Sequence, residues 1–473
     1  MLFSSPEFIV FIVIFVGIYS VINKKFTNTL IIISSSIFYA WWKIEYIWLP
    51  YLLTAIAFCG GRWISNSDAD IRKSRLIITI CILFCPLLIF KYTDFFYAEI
   101  VGVFADVHDD IIGLSLPLGI SFITFTLTAY LVDIYRKKFA ADRKFSVVLA
   151  YVLFFPHLIA GPILHPGELI PQLEEKRVRI YRRILVPLAV FSVGLVKKLV
   201  FADQIAVYVD AVYAQSGVPS APEALLAIIG FMVQIFCDFS GYTDMALAVA
   251  LLIGIKLPNN FLRPYTANSI AGLWRRWHIT LTRFLMNYVY SPISLWAMHR
   301  KYFRSIAPIM RVTISVILPM NLTFLISGLW HGAGWNYILF GAVTGIAMSV
   351  ESLWRWKRLP RPNAILAWLL TMIVFNVSLV FFRSPTVTKA LEMLSAPFAG
   401  GWHGWELVVS QNIFIISLIV VFSLTHRFDD HRRIKFATRC WRPEISWIII
   451  LLFFVLSIAI SQGDSGNFVY FDF

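Results

Sequence analysis

Residues 146–170 read SVVLAYVLFFPHLIAGPILHPGELI, an apolar run long enough to pass for a membrane span. Its flanks argue otherwise. Arg136, Lys137, Lys138, Arg143 and Lys144 precede it, and a second basic loop, 176–183, follows it. Lys and Arg collect in cytoplasmic loops, so two successive basic loops make the segment enter and leave on one face. Pro156, Gly161, Pro162, Pro166 and Gly167 also interrupt any straight helix. Irregular backbone at membrane depth is tolerated only where protein or water surrounds it. Segment 146–170 is therefore expected to be re-entrant and to line a cavity among spanning helices.

The rest of the chain agrees about the solvent. Of 473 residues, 59% are hydrophobic and 14% charged, and the mean hydropathy is +0.75. Soluble domains carry about 25% charge. This composition excludes a soluble enzyme with one anchor, a secreted disulfide scaffold and a disordered tail protein. At about 20 residues per crossing the length accommodates roughly ten to twelve spans, with little left for a soluble domain. The expected class is an all-α polytopic membrane protein, with 1–473 forming a single integral membrane domain surrounded by lipid. The net charge of +14 resides in loops between apolar blocks, and no basic tail with stacking aromatics accompanies it, so no nucleic-acid partner is expected. Cys59, Cys81, Cys85, Cys237 and Cys440 form no CxxC pair and read as packing residues. No metal site is expected.

Loop charge also orients the chain. A first span near Phe8 to Val21 precedes Lys24 and Lys25, which places the N-terminus outside. The turn at Lys43 to Glu45 is then outside, the loop from Arg62 to Arg75 inside, and the acidic stretch 106–110 outside. A span beginning near Ile184 leads out to a loop with Asp203 and Asp210. The returning span is broken by Asp238-Phe-Ser-Gly-Tyr-Thr-Asp244. Segment 263–304 reads as amphipathic and cytoplasmic-facing, 312–352 as a hairpin with His331 at its tip, and 462–473 as a periplasmic tail. Three further spans lie near 364–382, 413–424 and 445–460. Both termini are expected outside.

Several residues stand out chemically. His331 sits in Ser327-Gly-Leu-Trp-His331-Gly-Ala-Gly-Trp335, between Trp330 and Trp335. A histidine buried among tryptophans stays neutral and can accept a hydroxyl proton as general base, and the glycines would let an acyl-bearing ligand approach the backbone. A packing histidine bonded to a carbonyl would look the same. His278 follows Trp274-Arg275-Arg276-Trp277, where arginines suit phosphates and tryptophans suit adenine; an interfacial helix with snorkelling arginines fits equally. His157 and His165 are placed to line the cavity of the re-entrant segment, as are Asp238 and Asp244. Those two aspartates also suit the ion site of a coupled transporter with a helix break. Asp68-Ala-Asp70 matches the metal-binding DxD of glycosyltransferases. HExxH, GxSxG and P-loop patterns are absent.

These motifs together resemble the membrane-bound O-acyltransferase (MBOAT) superfamily, in its bacterial alginate O-acetyltransferase-like branch. The matching stretches are Leu116-Pro-Leu-Gly-Ile-Ser-Phe122, Tyr130-Leu-Val-Asp133-Ile-Tyr135-Arg136 and Phe154-Phe-Pro-His157-Leu-Ile-Ala-Gly161-Pro162. Asp238 to Asp244, Asn260-Phe-Leu-Arg263-Pro264-Tyr265, Trp274 to His278 and Gly328-Leu-Trp-His331-Gly-Ala continue them in order. Met286-Asn287-Tyr288 departs from the Arg-Asp pair of many members.

The resemblance implies a ring of helices around a tunnel open to both faces, with His331 catalytic and His278 assisting. It implies an acetyltransferase of the bacterial inner membrane without a bound cofactor. The donor substrate would be acetyl-CoA or an acyl carrier protein thioester, positioned by Arg275, Arg276, Trp274 and Trp277. The acceptor would be an extracytoplasmic polysaccharide, reached through a periplasmic O-acetyltransferase partner. The ending Phe468-Val-Tyr470-Phe-Asp-Phe473 resembles the tail of a small partner in teichoic-acid D-alanylation, which makes Tyr470 a candidate acyl relay; an aromatic interfacial anchor is the other reading.

Overall fold

The computed structural model describes residues 1–101, 115–175, 184–461 and 466. The acidic stretch 106–110, the basic loop 176–183 and the tail residue Tyr470 lie outside the described residues. Every regular element among those described is helical. Eight helices are long and apolar enough to cross a membrane; a pair bent by 78°, Trp405–Gln411 with Ile413–Phe428, makes a ninth. Pro6–Val21 and Ile120–Tyr135, also apolar, fall short of that length at 16 residues each, so the described residues give eight or nine candidate spans against the roughly ten to twelve expected from length. This is a multi-pass membrane protein.

The chain falls into two compact units, Met1–Ser192 with Tyr242–Pro258, and Val193–Gly241 with Asn259–Phe473. In the first, Trp48–Ser65 packs against Ala69–Val101 and Ile120–Tyr135. Segment 146–170 is divided into Phe145–Leu153, Phe155–Leu158 and Pro166–Glu174, with residues 147–164 all buried. Burial in protein is what such an irregular path requires. Phe155 seats the break: its ring meets Phe11, Phe15 and Phe38 at 5.3, 5.3 and 5.4 Å, and its amide donates to Ser35 Oγ at 3.1 Å. A Cβ on Gly161 would stand 2.3 Å from His157 Cα, so the turn tolerates only glycine.

Two expectations from charge fail in the second unit and at its margins. The loop expected around Asp203 and Asp210 is helix: Leu185–Ala214 runs for 30 residues through a π-turn at Lys197–Ala202. The break expected between Asp238 and Asp244 is also absent, because Ala221–Leu252 is one helix of 32 residues. Gly241 serves close packing instead of a break; a Cβ there would lie 2.7 Å from the Gly194 carbonyl oxygen. Segment 263–304 likewise holds a continuous helix, 279–298, carried through a π-turn at Met286–Tyr290.

Pro308–His331 and Trp335–Trp356 form a hairpin over segment 312–352, and Ala364–Arg383 packs on its second arm. The most basic stretch near the C-terminus forms the helix His431–Cys440, and Pro443–Ser461 packs against the π-turn at Lys197–Ala202.

Candidate active site

His331 is the last residue of the helix Leu318–His331 and is 5% exposed. Glycine brings the two arms of its hairpin together: a Cβ on Gly328 would sit 2.2 Å from the Tyr337 carbonyl oxygen, and one on Gly341 2.3 Å from that of Phe324. The space beside Gly332 is filled by the Tyr337 ring, which a Cβ there would approach to 2.1 Å. These glycines therefore admit a neighbouring helix, not a ligand as the motif suggested. Asn336 Nδ2 donates to the Ser384 carbonyl at 2.9 Å and ties the hairpin tip to the end of Ala364–Arg383. The imidazole is enclosed by Trp330, Phe382 and Phe340, with ring centroids at 4.8, 5.1 and 5.7 Å. Trp335 does not join them; as the first residue of its helix it points outward and is 54% exposed.

His278 reaches the same place from another direction. Its backbone is left-handed, with φ 41°, a conformation that costs a non-glycine residue about 1 kcal/mol or more. Asn260 sustains it. The Asn260 carbonyl accepts from the Ile279 amide at 2.9 Å, and its side-chain Oδ1 accepts from Thr280 N at 3.2 Å and Thr280 Oγ1 at 2.9 Å. The same Oδ1 lies 3.2 Å from His278 Nδ1. Because Oδ1 is an acceptor, Nδ1 carries the proton and Nε2 keeps its lone pair. This segment lies outside the spanning helices, and burial pushes the imidazole down to about 3. It is a neutral acceptor at physiological pH. Phe239 meets its ring edge-on at 4.7 Å, and Trp330 stands at 6.3 Å.

Trp330 is thus shared by both imidazoles. Two imidazoles around one indole, walled by phenylalanines, can take or orient a hydroxyl proton. An imidazole does this without the fixed charge that a carboxylate would bring to membrane depth.

The donor-binding residues read from the sequence separate in space. Trp274 and Trp277 are buried and packed against Phe324, Phe375 and Phe261, so neither ring is open to an adenine. Arg275, between them on the turn, is exposed at the surface. Arg276 is half-buried and donates to Thr266 Oγ1 at 2.7 Å. His157, in the first unit, is 3% exposed and bonds the Tyr151 carbonyl through Nε2 at 2.7 Å. His165 starts the helix Pro166–Glu174 and lies 3.4 Å from Asp133. Asp244 is buried in the first unit. Asp68 and Asp70 are exposed at the N-terminus of Ala69–Val101, where carboxylates complement the helix dipole.

Asp238 carries a partner that the sequence motifs do not reveal. Lys198 Nζ lies 2.9 Å from Asp238 Oδ1 and 2.7 Å from Asp203 Oδ1, with all three side chains at most 10% exposed. The available signal was a Lys-Lys pair inside an otherwise apolar run. Asn260 was also missed as a support for His278. The first unit holds a cavity of about 1070 Å³ lined in part by Lys24, Lys25, Arg143, Lys144, Glu174 and Glu175.

The sequence pattern of the family described as MBOAT, membrane-bound O-acyltransferase family, matches residues 29–384. The chain is 33% identical over 414 residues to a protein of Pseudomonas aeruginosa named "Probable alginate O-acetylase AlgI", covering 86% of this chain and 77% of the relative. It is 35% identical over 405 residues to the peptidoglycan O-acetyltransferase of Helicobacter pylori, covering 79% and 74%. A more distant relative, the teichoic acid D-alanyltransferase of Streptococcus thermophilus, is 27% identical over 249 residues, 51% of this chain and 58% of that one.

Proposed function

Because the chain belongs to the membrane-bound O-acyltransferase family and is a membrane-bound O-acyltransferase, we propose that it moves an acetyl group from a cytoplasmic thioester to an extracytoplasmic polysaccharide. The names of two relatives, an alginate O-acetylase and a peptidoglycan O-acetyltransferase, support the acetyl group and a carbohydrate acceptor. The observation that carries the chemistry is the pair of buried imidazoles around Trp330.

In this reading His331 is the general base. It takes the acceptor's hydroxyl proton as that oxygen attacks the thioester carbonyl carbon. The carbon–oxygen bond forms, the carbon–sulfur bond breaks, and the departing thiolate receives the proton from the imidazolium. His278, locked by Asn260 with Nε2 as acceptor, orients the hydroxyl. Arg275, exposed, and Arg276, beside Thr266, meet the phosphates of acetyl-CoA or of an acyl carrier protein. The protein sits in the bacterial inner membrane with both termini periplasmic; the first acceptor hydroxyl is that of Tyr470, whose acetyl ester is then attacked by a hydroxyl of a periplasmic O-acetyltransferase partner, which frees the Tyr470 phenol and carries the acetyl group to the polysaccharide.

Ester-bound acetate on envelope polysaccharide tests this in cells. General-base removal costs about 10²–10⁴-fold, so a His331→Ala strain with normal protein levels is expected to lose at least about 99% of the acetate. Unchanged acetate in that strain overturns the proposal.

A further inference from the structure

Between the apolar helices Ile413–Phe428 and Pro443–Ser461 lies the helix His431–Cys440, and its charges are sorted by side. From 431 to 442 the chain holds Arg432, Arg433, Lys435, Arg439 and Arg442 and no carboxylate. Arg432, Lys435 and Arg439 recur at i, i+3 and i+7, which sets them on one helical face. All three are exposed, and among the described residues none of them is paired with a carboxylate. Phe436 borders this row, one turn after Arg432, and is 69% exposed; Trp441, just past the helix, is 47% exposed. His431, Ile434 and Thr438, on the other side, are half-buried.

The two acids that precede the helix are turned inward. Asp429 accepts from Lys197 Nζ at 2.7 Å. Asp430 caps the helix by accepting from the Arg432 amide at 2.9 Å, and its other oxygen lies 3.7 Å from Arg263. The same turn, 426–431, holds the loop behind His278. His426 Nε2 accepts from the Tyr265 amide at 3.3 Å, and His431 Nδ1 lies 3.2 Å from Asn259 Oδ1. The next residue, Asn260, is the one that seats His278.

Exposed cations beside exposed aromatics, set between two apolar helices, suit the boundary between lipid headgroups and acyl chains. Anionic headgroups attract Lys and Arg held near the surface. A soluble acidic protein would match the cations but offer Phe436 no apolar medium, so lipid is the better fit.

We propose that the helix His431–Cys440 is a docking surface for anionic phospholipid headgroups, and that occupancy holds the turn 426–431 against the loop that carries Asn260. With both termini periplasmic, as proposed above, the lipid is that of the cytoplasmic leaflet.

Hydrogen–deuterium exchange of the full-length protein in nanodiscs reads both parts without relying on acetyl transfer. Discs of phosphatidylcholine alone are compared with discs that also contain phosphatidylglycerol. The anionic lipid is expected to slow exchange in peptide 431–442 by about tenfold and in peptide 259–266 by about fivefold. The exposed triple variant Arg432→Gln/Lys435→Gln/Arg439→Gln is expected to exchange alike in both discs. Arg432→Lys/Arg439→Lys, which keeps the charge, is expected to respond as the wild type does.

Equal exchange of peptide 431–442 in the two discs overturns the docking. Slowing confined to that peptide, with 259–266 unchanged, overturns the link to the loop of Asn260. Glycerol-1-phosphate added to phosphatidylcholine discs separates a lipid from a free phosphate; if it protects the helix as well as phosphatidylglycerol does, the lipid assignment falls. Equal protection by an added acyl carrier protein in the same discs would make the face a protein dock and overturn it too.

Discussion

Asn260 fixes the tautomer of His278 because its Oδ1 already accepts from the Thr280 amide and hydroxyl, which leaves the imidazole no choice but to donate from Nδ1. Replacing Asn260 with Ala frees both the left-handed turn and the tautomer. A misplacement of about 1 Å at a reacting group can cost 10²-fold. Acetyl transfer by Asn260→Ala is therefore expected to fall about ten- to hundredfold in kcat with little change in the donor KM; a variant that changes KM alone would place Asn260 in donor binding. At this scale both histidines could be picked out of the sequence as candidates, His331 among glycines and tryptophans and His278 after a run of tryptophans and arginines. The support for His278 could not, because it comes from a separate loop. Nor could the string Trp274-Arg275-Arg276-Trp277 reveal which side chains face inward. Its tryptophans pack against phenylalanines from other helices while Arg275 remains outside.

Helices and hairpins repeat the lesson about missing partners. Two aspartates flanking a glycine within an apolar run look like a break, since an isolated intramembrane charge costs several kcal/mol. The helix Ala221–Leu252 continues because Lys198, on a different helix, pairs with Asp238, and Gly241 is needed for backbone contact at Gly194. The hairpin around His331 was legible from its basic outer ends and glycine-rich tip, yet the purpose of the glycines was not. Phe324 and Tyr337 present backbone oxygens where Gly341 and Gly328 would otherwise carry methyl groups. Backbone cannot move aside as a side chain can, and overpacking costs about 1–3 kcal/mol. Gly341→Ala is thus expected to lower the midpoint of thermal unfolding in detergent and to reduce transfer by displacing His331; an unchanged midpoint would show that the arms are not held as closely as described. In segment 146–170 the breaks follow from proline and glycine positions, which are local facts, and burial in protein satisfies the requirement for irregular backbone at depth.

For the molecule as a whole, composition dictated the solvent and nearly dictated the class. With 59% hydrophobic and 14% charged residues, most of the chain has to be helix facing lipid or other helices. The division into two compact units escaped the sequence because its boundaries fall within helices and a short loop, at Ser192, Gly241 and Pro258, where no linker composition marks them. Against this apolar helical background, the proposed acyl transfer rests on the pair of buried imidazoles at Trp330. The account therefore stands on covalent acyl transfer through His331. The direct measurement places purified protein in proteoliposomes with radiolabelled acetyl-CoA, a periplasmic O-acetyltransferase partner and a polysaccharide acceptor, and counts label in ester linkage to protein or polysaccharide. Wild type is expected to transfer label and His331→Ala to lose at least about a hundredfold. Equal ester formation by the variant, or label that crosses the membrane without ever becoming an ester, would contradict it.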